Sequence, residues 1–250
     1  MLTYAMLKDL VQGVKELVFP DNCFLCRTFL NSSHQRQLCP ACLQKIPLNI
    51  PPFCMLCSRH LTVYSDDALC NPCRGTKKQY DRAWGVCFYA NEMRDLLQAF
   101  KYGGKTGLRK TFSQLIHTFI DTYHVPLAQF DLVVPIPLHP VRLRERGFNQ
   151  AEILSANLCN HYNLRHCTGV LIRQHPTASQ TLLDQKQRWT NLQGAFRINA
   201  SDAIRDKSIL LVDDLLTTGA TADAAAAALK EAGAAYIGVL TLAITDANPS

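Results

Sequence analysis

The sequence predicts an α/β chain, a parallel sheet flanked by helices, with a small metal-held module in front of it. Three observations predict it. From about Tyr80 onward, apolar strand segments alternate with helical ones. Before that point, eight of the eleven cysteines fall into four C-x-x-C pairs. Near the C-terminus a buried strand runs into two aspartates, a Thr/Gly loop and an alanine-rich helix. The 250 residues are 48% hydrophobic and 18% charged. That is enough apolar material for a core, and it excludes a disordered chain, a coiled coil or a collagen-like fibre. No apolar run approaches the roughly 18 residues of a membrane span. Residues 1–7 are mostly apolar, but Lys8-Asp9 interrupts them, and no signal-peptide cleavage pattern follows. The expectation is a cytoplasmic protein.

The first element is a helix over 1–19. Leu7, Leu10, Val11, Val14, Leu17 and Val18 follow helical spacing, and Pro20 ends the pattern. Its polar face is sparse in Lys and Arg, which favours packing on the protein over lying on a membrane.

The cysteine module follows, over 20–76. Cys23/Cys26, Cys39/Cys42, Cys54/Cys57 and Cys70/Cys73 repeat the spacing C-x2-C-x12-C-x2-C twice, with each cysteine of the first set 31 residues before its counterpart. Leu25-Cys26 matches Leu56-Cys57 and Leu38-Cys39 matches Leu69-Cys70, so this is an internal duplication. Two residues between cysteines let both sulfurs of a tight turn reach one ion, and two such turns close a tetrahedral site. Two structural Zn²⁺ ions are expected, because a module this small cannot bury a core of its own. Redox C-x-x-C pairs are the competing reading; four pairs with equal loops argue against it. The repeat favours sequential pairing, and an interleaved pairing stays open. His34 and His60 are surplus as ligands, and Cys87, Cys159 and Cys167 read as core thiols.

The metal also changes the charge arithmetic. The formal net charge is +6. Eight thiolates around two Zn²⁺ would bring it to +2, so the basic composition is weak support for nucleic-acid binding.

Beyond a linker over 74–79, the spacing predicts a strand over 83–90, helices over 92–100 and 111–123, a strand over 131–134 and a helix over 149–161. A strand over 167–172, an apolar strand over 209–212, a helix over 221–232 closed by Gly233, and a strand over 236–244 complete it. Such parallel sheets bind ligands beyond the carboxyl ends of their strands.

The run from Ile209 to Thr221 is the most informative stretch. Loop amides and a helix N-terminus converge on one spot, which suits a phosphate. Thr217, Thr218 and Thr221 add hydroxyls, and Gly219 permits close backbone approach. Asp213 and Asp214 would repel each other without a partner, and a sugar diol or Mg²⁺ supplies one. An acidic helix-capping turn is the bland alternative.

This run, Asp213-Asp214-Leu215-Leu216-Thr217-Thr218-Gly219-Ala220-Thr221, resembles the 5-phosphoribosyl-1-diphosphate (PRPP) motif of type I phosphoribosyltransferases. Two more stretches narrow the resemblance. One is Val134-Pro135-Ile136-Pro137-Leu138-His139 with Arg142, Arg144 and Arg146-Gly147-Phe148-Asn149-Gln150. The other is Arg173, Thr177, Gln180, Leu183, Arg188, Asn191 and Ala195-Phe196. With the cysteines, they look like the ComF family of competence and DNA-utilisation proteins, including its GntX-like members; the doubled cysteine set resembles a double zinc ribbon. The resemblance runs from Pro20 onward. It implies a type I phosphoribosyltransferase fold over 80–247 and a role in natural transformation, on single-stranded DNA, beside a helicase and the inner-membrane DNA channel.

Under that resemblance Asp213 and Asp214 would hold the ribose hydroxyls, directly or through Mg²⁺. The Thr217-to-Thr221 loop would hold the 5′-phosphate. Pro135, Ile136 and Pro137 would face the pyrophosphate. Arg142, Arg144 and Arg146 would clamp pyrophosphate or a DNA backbone, with Arg146 favoured. The polar segment 174–194, with Arg173 and Arg188, would be the loop that closes over the reaction. Lys101 and Lys105 either reach the same pocket or belong to a plain turn. Three functions follow: a DNA-uptake protein with a PRPP site and Mg-dependent phosphoribosyl transfer; a non-enzymatic adaptor for single-stranded DNA or a helicase; and nucleobase salvage, against which the cysteine module argues.

Overall fold

The computed structural model describes residues 22–30, 37–61, 67–102, 107–174, 194–199 and 201–245. The expected helix over 1–19, His34, Lys105, and Thr177, Gln180, Leu183, Arg188 and Asn191 of the expected closing loop lie outside the described residues.

Four parallel strands form the central sheet: β1 (Arg82–Phe88), β2 (Leu132–Pro135), β5 (Ser208–Leu216) and β6 (Tyr236–Ile244), in the order β1-β6-β5-β2. Both faces are covered, so the strands read as continuous apolar runs. Alternation along β5 shows the two layers. Ile209 and Leu211 share a buried cluster with Ala222, Ala225 and Leu229 of α6 (Ala220–Glu231). Leu210 and Val212 face the opposite way. They pack with Leu96 of α2 (Asn91–Tyr102), Phe112 of α3 (Leu108–Tyr123) and Leu154 of α5 (Gln150–Tyr162).

Two expectations need correcting. The strand expected over 167–172 is only β3 (Leu171–Arg173). It pairs antiparallel with β4 (Phe196–Ile198) in a separate two-stranded sheet. The strand expected over 209–212, ending at the two aspartates, continues to Leu216, so Asp213 and Asp214 lie within it. Their apolar run is broken by charge, but the backbone keeps pairing with β6 through Leu216↔Ile244. A short helix α4 (Pro140–Arg146) was also not anticipated, although Pro140 at its first turn and Gly147 in the left-handed conformation after it are standard boundary signals.

The cysteine modules are packed onto this domain. Within the first module a short helix, α1 (Pro40–Leu43), follows Cys39. Cys23, Leu30, Leu38, Cys42 and Ile46 are buried in the same cluster as Phe112 and Phe119. The outer edge of β1 is covered by the second module and the chain leading to it. Asn49 N donates to Val86 O at 2.9 Å and Phe88 N to Pro47 O at 2.8 Å. Ala83 N donates to Met55 O at 3.1 Å, and Gly85 N to Ser58 Oγ at 2.8 Å. An exposed edge strand is thereby blunted. Among the described residues, no helix is long and apolar enough to cross a membrane.

Candidate functional site

A cavity of about 620 Å³ opens at the carboxyl end of the sheet. Its position follows from strand lengths. β2 stops pairing with β5 after Pro135↔Val212. The last contact there is Ile136 N to Val212 O at 2.9 Å. From Asp213 on, β5 has β6 on one side and open space on the other.

Asp213, Asp214, Leu215, Leu216, Thr217, Gly219, Ala220 and Thr221 line this cavity, as do Ile136, Pro137, Arg142, Arg146 and Arg173. Three expected residues do not. Pro135 is buried in β2, and Thr218 and Arg144 are outside the lining. Helical phase explains Arg144: Arg142 and Arg146 are four apart on one face of α4, and Arg144 lies between them on the other. Spacing alone had grouped the three.

The aspartates are not left to repel. Lys101 Nζ, from the last turn of α2, lies 2.6 Å from Asp214 Oδ2. Asp214 N donates to Asp213 Oδ1 at 2.8 Å. Asp213 keeps a partly exposed carboxyl facing the cavity, with protein on its remaining sides. That burial, then the charge of Asp214, push it up to about 7. One carboxylate is therefore paired and the other is poised near neutrality, an arrangement ready to accept a diol or a cation.

The Arg146-to-Gln150 stretch proves to be a joint. Arg146 Nη2 donates to Tyr102 Oη at 2.9 Å, with the guanidinium 4.9 Å from that ring centre, and Nη1 donates to Gln150 Oε1 at 3.2 Å. Gly147 ends α4 at φ 77°. Phe148 packs on Phe100 at 5.5 Å. Asn149 caps α5 by accepting from Ala151 N at 3.1 Å, and donates to Ile136 O at 3.1 Å. Thus one residue reaches the cavity and the others hold the segment facing it. Arg173 stands 5.6 Å over Phe196 on the same cavity.

Behind the loop lie residues that sequence reasoning missed. Arg59 Nη2 donates to Thr217 O at 3.1 Å, and Lys78 Nζ to Thr218 O at 3.4 Å. Gly219 has φ 78°, and an added Cβ would meet Tyr80 Oη at 2.9 Å. Lys78 falls in the linker over 74–79, and nothing in the sequence pattern points it or Arg59 toward the loop.

The cysteines form two groups, Cys23, Cys26, Cys39, Cys42 and Cys54, Cys57, Cys70, Cys73, with all ligand atoms in each within 4.8 Å of one another. Sulfurs about 2.3 Å from a tetrahedral ion fit such spacing. In both, a backbone N–H of the third cysteine donates to the first sulfur at 3.4 Å, Cys39 to Cys23 and Cys70 to Cys54. Such donors favour thiolates.

Residues 14–74 match the family described as a double zinc ribbon domain, and residues 144–250 the phosphoribosyl transferase domain. The chain is 30% identical over 214 residues to competence protein ComFC of Bacillus subtilis (strain 168), covering 82% of this chain and 83% of that protein. It is 27% identical over 230 residues to competence protein F of Haemophilus influenzae, covering 90% and 97%. To the DNA utilization protein YhgH of Escherichia coli (strain K12) it is 27% identical over 235 residues, covering 92% and 99%. Among solved structures, the glutamine PRPP amidotransferase of B. subtilis matches 53% of this chain and 25% of that one, at 17% identity and TM-score 0.35. The purine phosphoribosyltransferase of Pyrococcus horikoshii matches 56% and 78%, at 16% identity and TM-score 0.31.

Proposed function

Since the chain belongs to the ComF family of competence proteins, with a double zinc ribbon and a type I phosphoribosyltransferase fold, we propose that it acts in the uptake and use of DNA through a cavity that binds PRPP or a closely related phosphoribosyl ligand. One observation carries the ligand reading: the Asp213-Asp214 pair on the open edge of β5 faces the same cavity as the Thr217-to-Thr221 loop. Acids for a ribose diol and a phosphate loop one strand-turn apart fit the two ends of a ribose 5-phosphate.

In this reading Asp213 and Asp214 accept the ribose hydroxyls, and Lys101 shares or yields Asp214 as the ligand enters. The loop amides and Thr217 and Thr221 take the 5′-phosphate. Arg142, Arg146 and Arg173, with the Ile136-Pro137 segment, face the diphosphate. Mg²⁺, when bound with the ligand, would be held by the two aspartates and would neutralise diphosphate charge. Transfer chemistry at such a site consists of positioning ribose C1 and stabilising the departing diphosphate with fixed cations. The eight ribbon cysteines would hold two zinc ions in closed sites, which supply folding energy and offer no open position for catalysis. DNA, a helicase and the membrane channel are the partners this family membership suggests, with Arg144 and Lys77 as exposed cations that a phosphate backbone could meet.

Calorimetric titration with PRPP, ribose 5-phosphate and pyrophosphate, each with Mg²⁺, tests the reading. PRPP should bind most tightly and each half should compete with it. A chain that ignores ribose 5-phosphate would support the adaptor reading instead.

A further inference from the structure

The two ribbons are copies of one structure, and their differences are informative. Cys23 N donates to Thr28 O, and Cys54 N to Arg59 O, both at 2.8 Å. Arg27 N donates to Cys23 O at 2.9 Å, and Ser58 N to Cys54 O at 2.8 Å. The bridge Asn22↔Phe29 is repeated as Phe53↔His60. Arg59 is therefore the counterpart of Thr28, and the backbone at both positions does the same work for its ribbon.

The side chains do not. Thr28 stays inside its ribbon, where its Oγ1 lies 3.2 Å from Cys26 Sγ. Arg59 leaves its ribbon altogether. Its Nε donates to Thr245 O at 2.9 Å and its Nη2 to Thr217 O at 3.1 Å. Thr245 and Thr217 follow β6 and β5 directly, and they are themselves joined by Thr245 Oγ1 to Thr217 O at 3.3 Å and Thr245 N to Leu216 O at 3.0 Å. One guanidinium thus ties together the two strand exits from which the phosphate loop springs.

We propose that Arg59 is a positioning residue of the phosphate loop: the second ribbon, through this side chain, fixes the direction of the loop's amides and so sets the cavity's affinity for a ribosyl phosphate. In a trans peptide the C=O and the following N–H point in opposite directions. Holding Thr217 O toward Arg59 aims Thr218 N–H the other way, and Lys78 on Thr218 O does the same for Gly219 N–H. Arg59 and Lys78 lie outside the cavity lining, whereas Thr217, Gly219, Ala220 and Thr221 are part of it. Of the two amides so aimed, that of Gly219 belongs to a lining residue and is turned toward the ligand side. Without the guanidinium, two carbonyls lose charge-assisted bonds and the loop gains freedom that a phosphate would have to remove on binding.

The ligand half of this inference rests on the phosphoribosyl reading; the loop-ordering half does not. The test uses the full chain as wild type, Arg59→Ala and Arg59→Lys, followed by amide hydrogen exchange over 217–221 and by PRPP titration, with zinc content and melting temperature as controls. Arg59→Ala should keep its zinc, exchange its loop amides faster and bind PRPP about tenfold more weakly. Arg59→Lys, with a single donor nitrogen on a four-carbon stem, should fall between. Wild-type exchange and affinity in Arg59→Ala would overturn the proposal. Should Arg59→Ala lose its zinc, Arg59→Lys decides: intermediate values support the proposal and wild-type values end it. If wild type does not bind PRPP while Arg59→Ala still loosens the loop, the phosphoribosyl reading fails and the positioning role stands.

Discussion

At the residue scale, Asp213 has a charge balance that leaves a measurable trace. Its carboxyl is raised to about 7 from 3.8 by burial and by Asp214. The folded chain therefore holds that proton more tightly than the unfolded chain. Stability falls as pH rises through the interval between those values, and the loss persists above it. Asp213→Asn removes the loss. The variant should melt close to wild type near pH 4 and clearly above it near pH 8, as followed by thermal denaturation at both pH values. Equal melting shifts at the two would place the carboxyl at its ordinary value. Asn149 makes the opposite case. It is buried, caps α5 and holds Ile136 O. Asn149→Ala should cost about 1–3 kcal/mol in denaturant unfolding.

At the element scale, α4 gives a sharp test of what periodicity means for charge. Arg142 and Arg146 face the cavity and Arg144 does not. Arg142→Ala should weaken pyrophosphate binding about tenfold, while Arg144→Ala leaves it nearly unchanged; equal losses would mean that α4 does not present one face. The same helix shows what the sequence could and could not tell. Pro140 and Gly147 mark both its ends, yet the segment is only seven residues long and has no apolar stripe, so periodicity had nothing to detect. The strands β1 and β6 and the helix α6 were legible because burial on both faces, or a run of alanines, imposes a pattern. The continuation of β5 through Asp213 and Asp214 was not, because hydrogen bonds to β6 override the local aversion of aspartate for strands. The separation of β3 from the main sheet was invisible for a related reason: an apolar run does not say which edge it will join. Of the site, the aspartates, the loop and Arg146 were legible from residue order. Arg59 was not, since its partners Thr217 and Thr245 are 158 and 186 residues away.

At the scale of the whole molecule, the ribbons are not an appendage. The first shares a core cluster with α3, and the second covers the edge of β1 and braces the phosphate loop. Purified protein should carry two zinc ions per chain, one for each group of four cysteines. Metal analysis giving one ion in a folded chain would remove one of the two sites. Cys23→Ser should lower the melting temperature of the entire chain rather than unfold a separate bead, because Cys23 is buried in the domain's own core.

The central claim is that the aspartates of β5 and the loop after it form one phosphoribosyl site. Its most direct test is the PRPP binding isotherm of Asp213→Asn/Asp214→Asn beside wild type. Wild type should give a saturable single-site isotherm. The folded, zinc-loaded variant should give none, since amides cannot replace carboxylates toward a diol or a divalent cation. An unchanged isotherm in the double variant would place the ligand elsewhere and contradict the account.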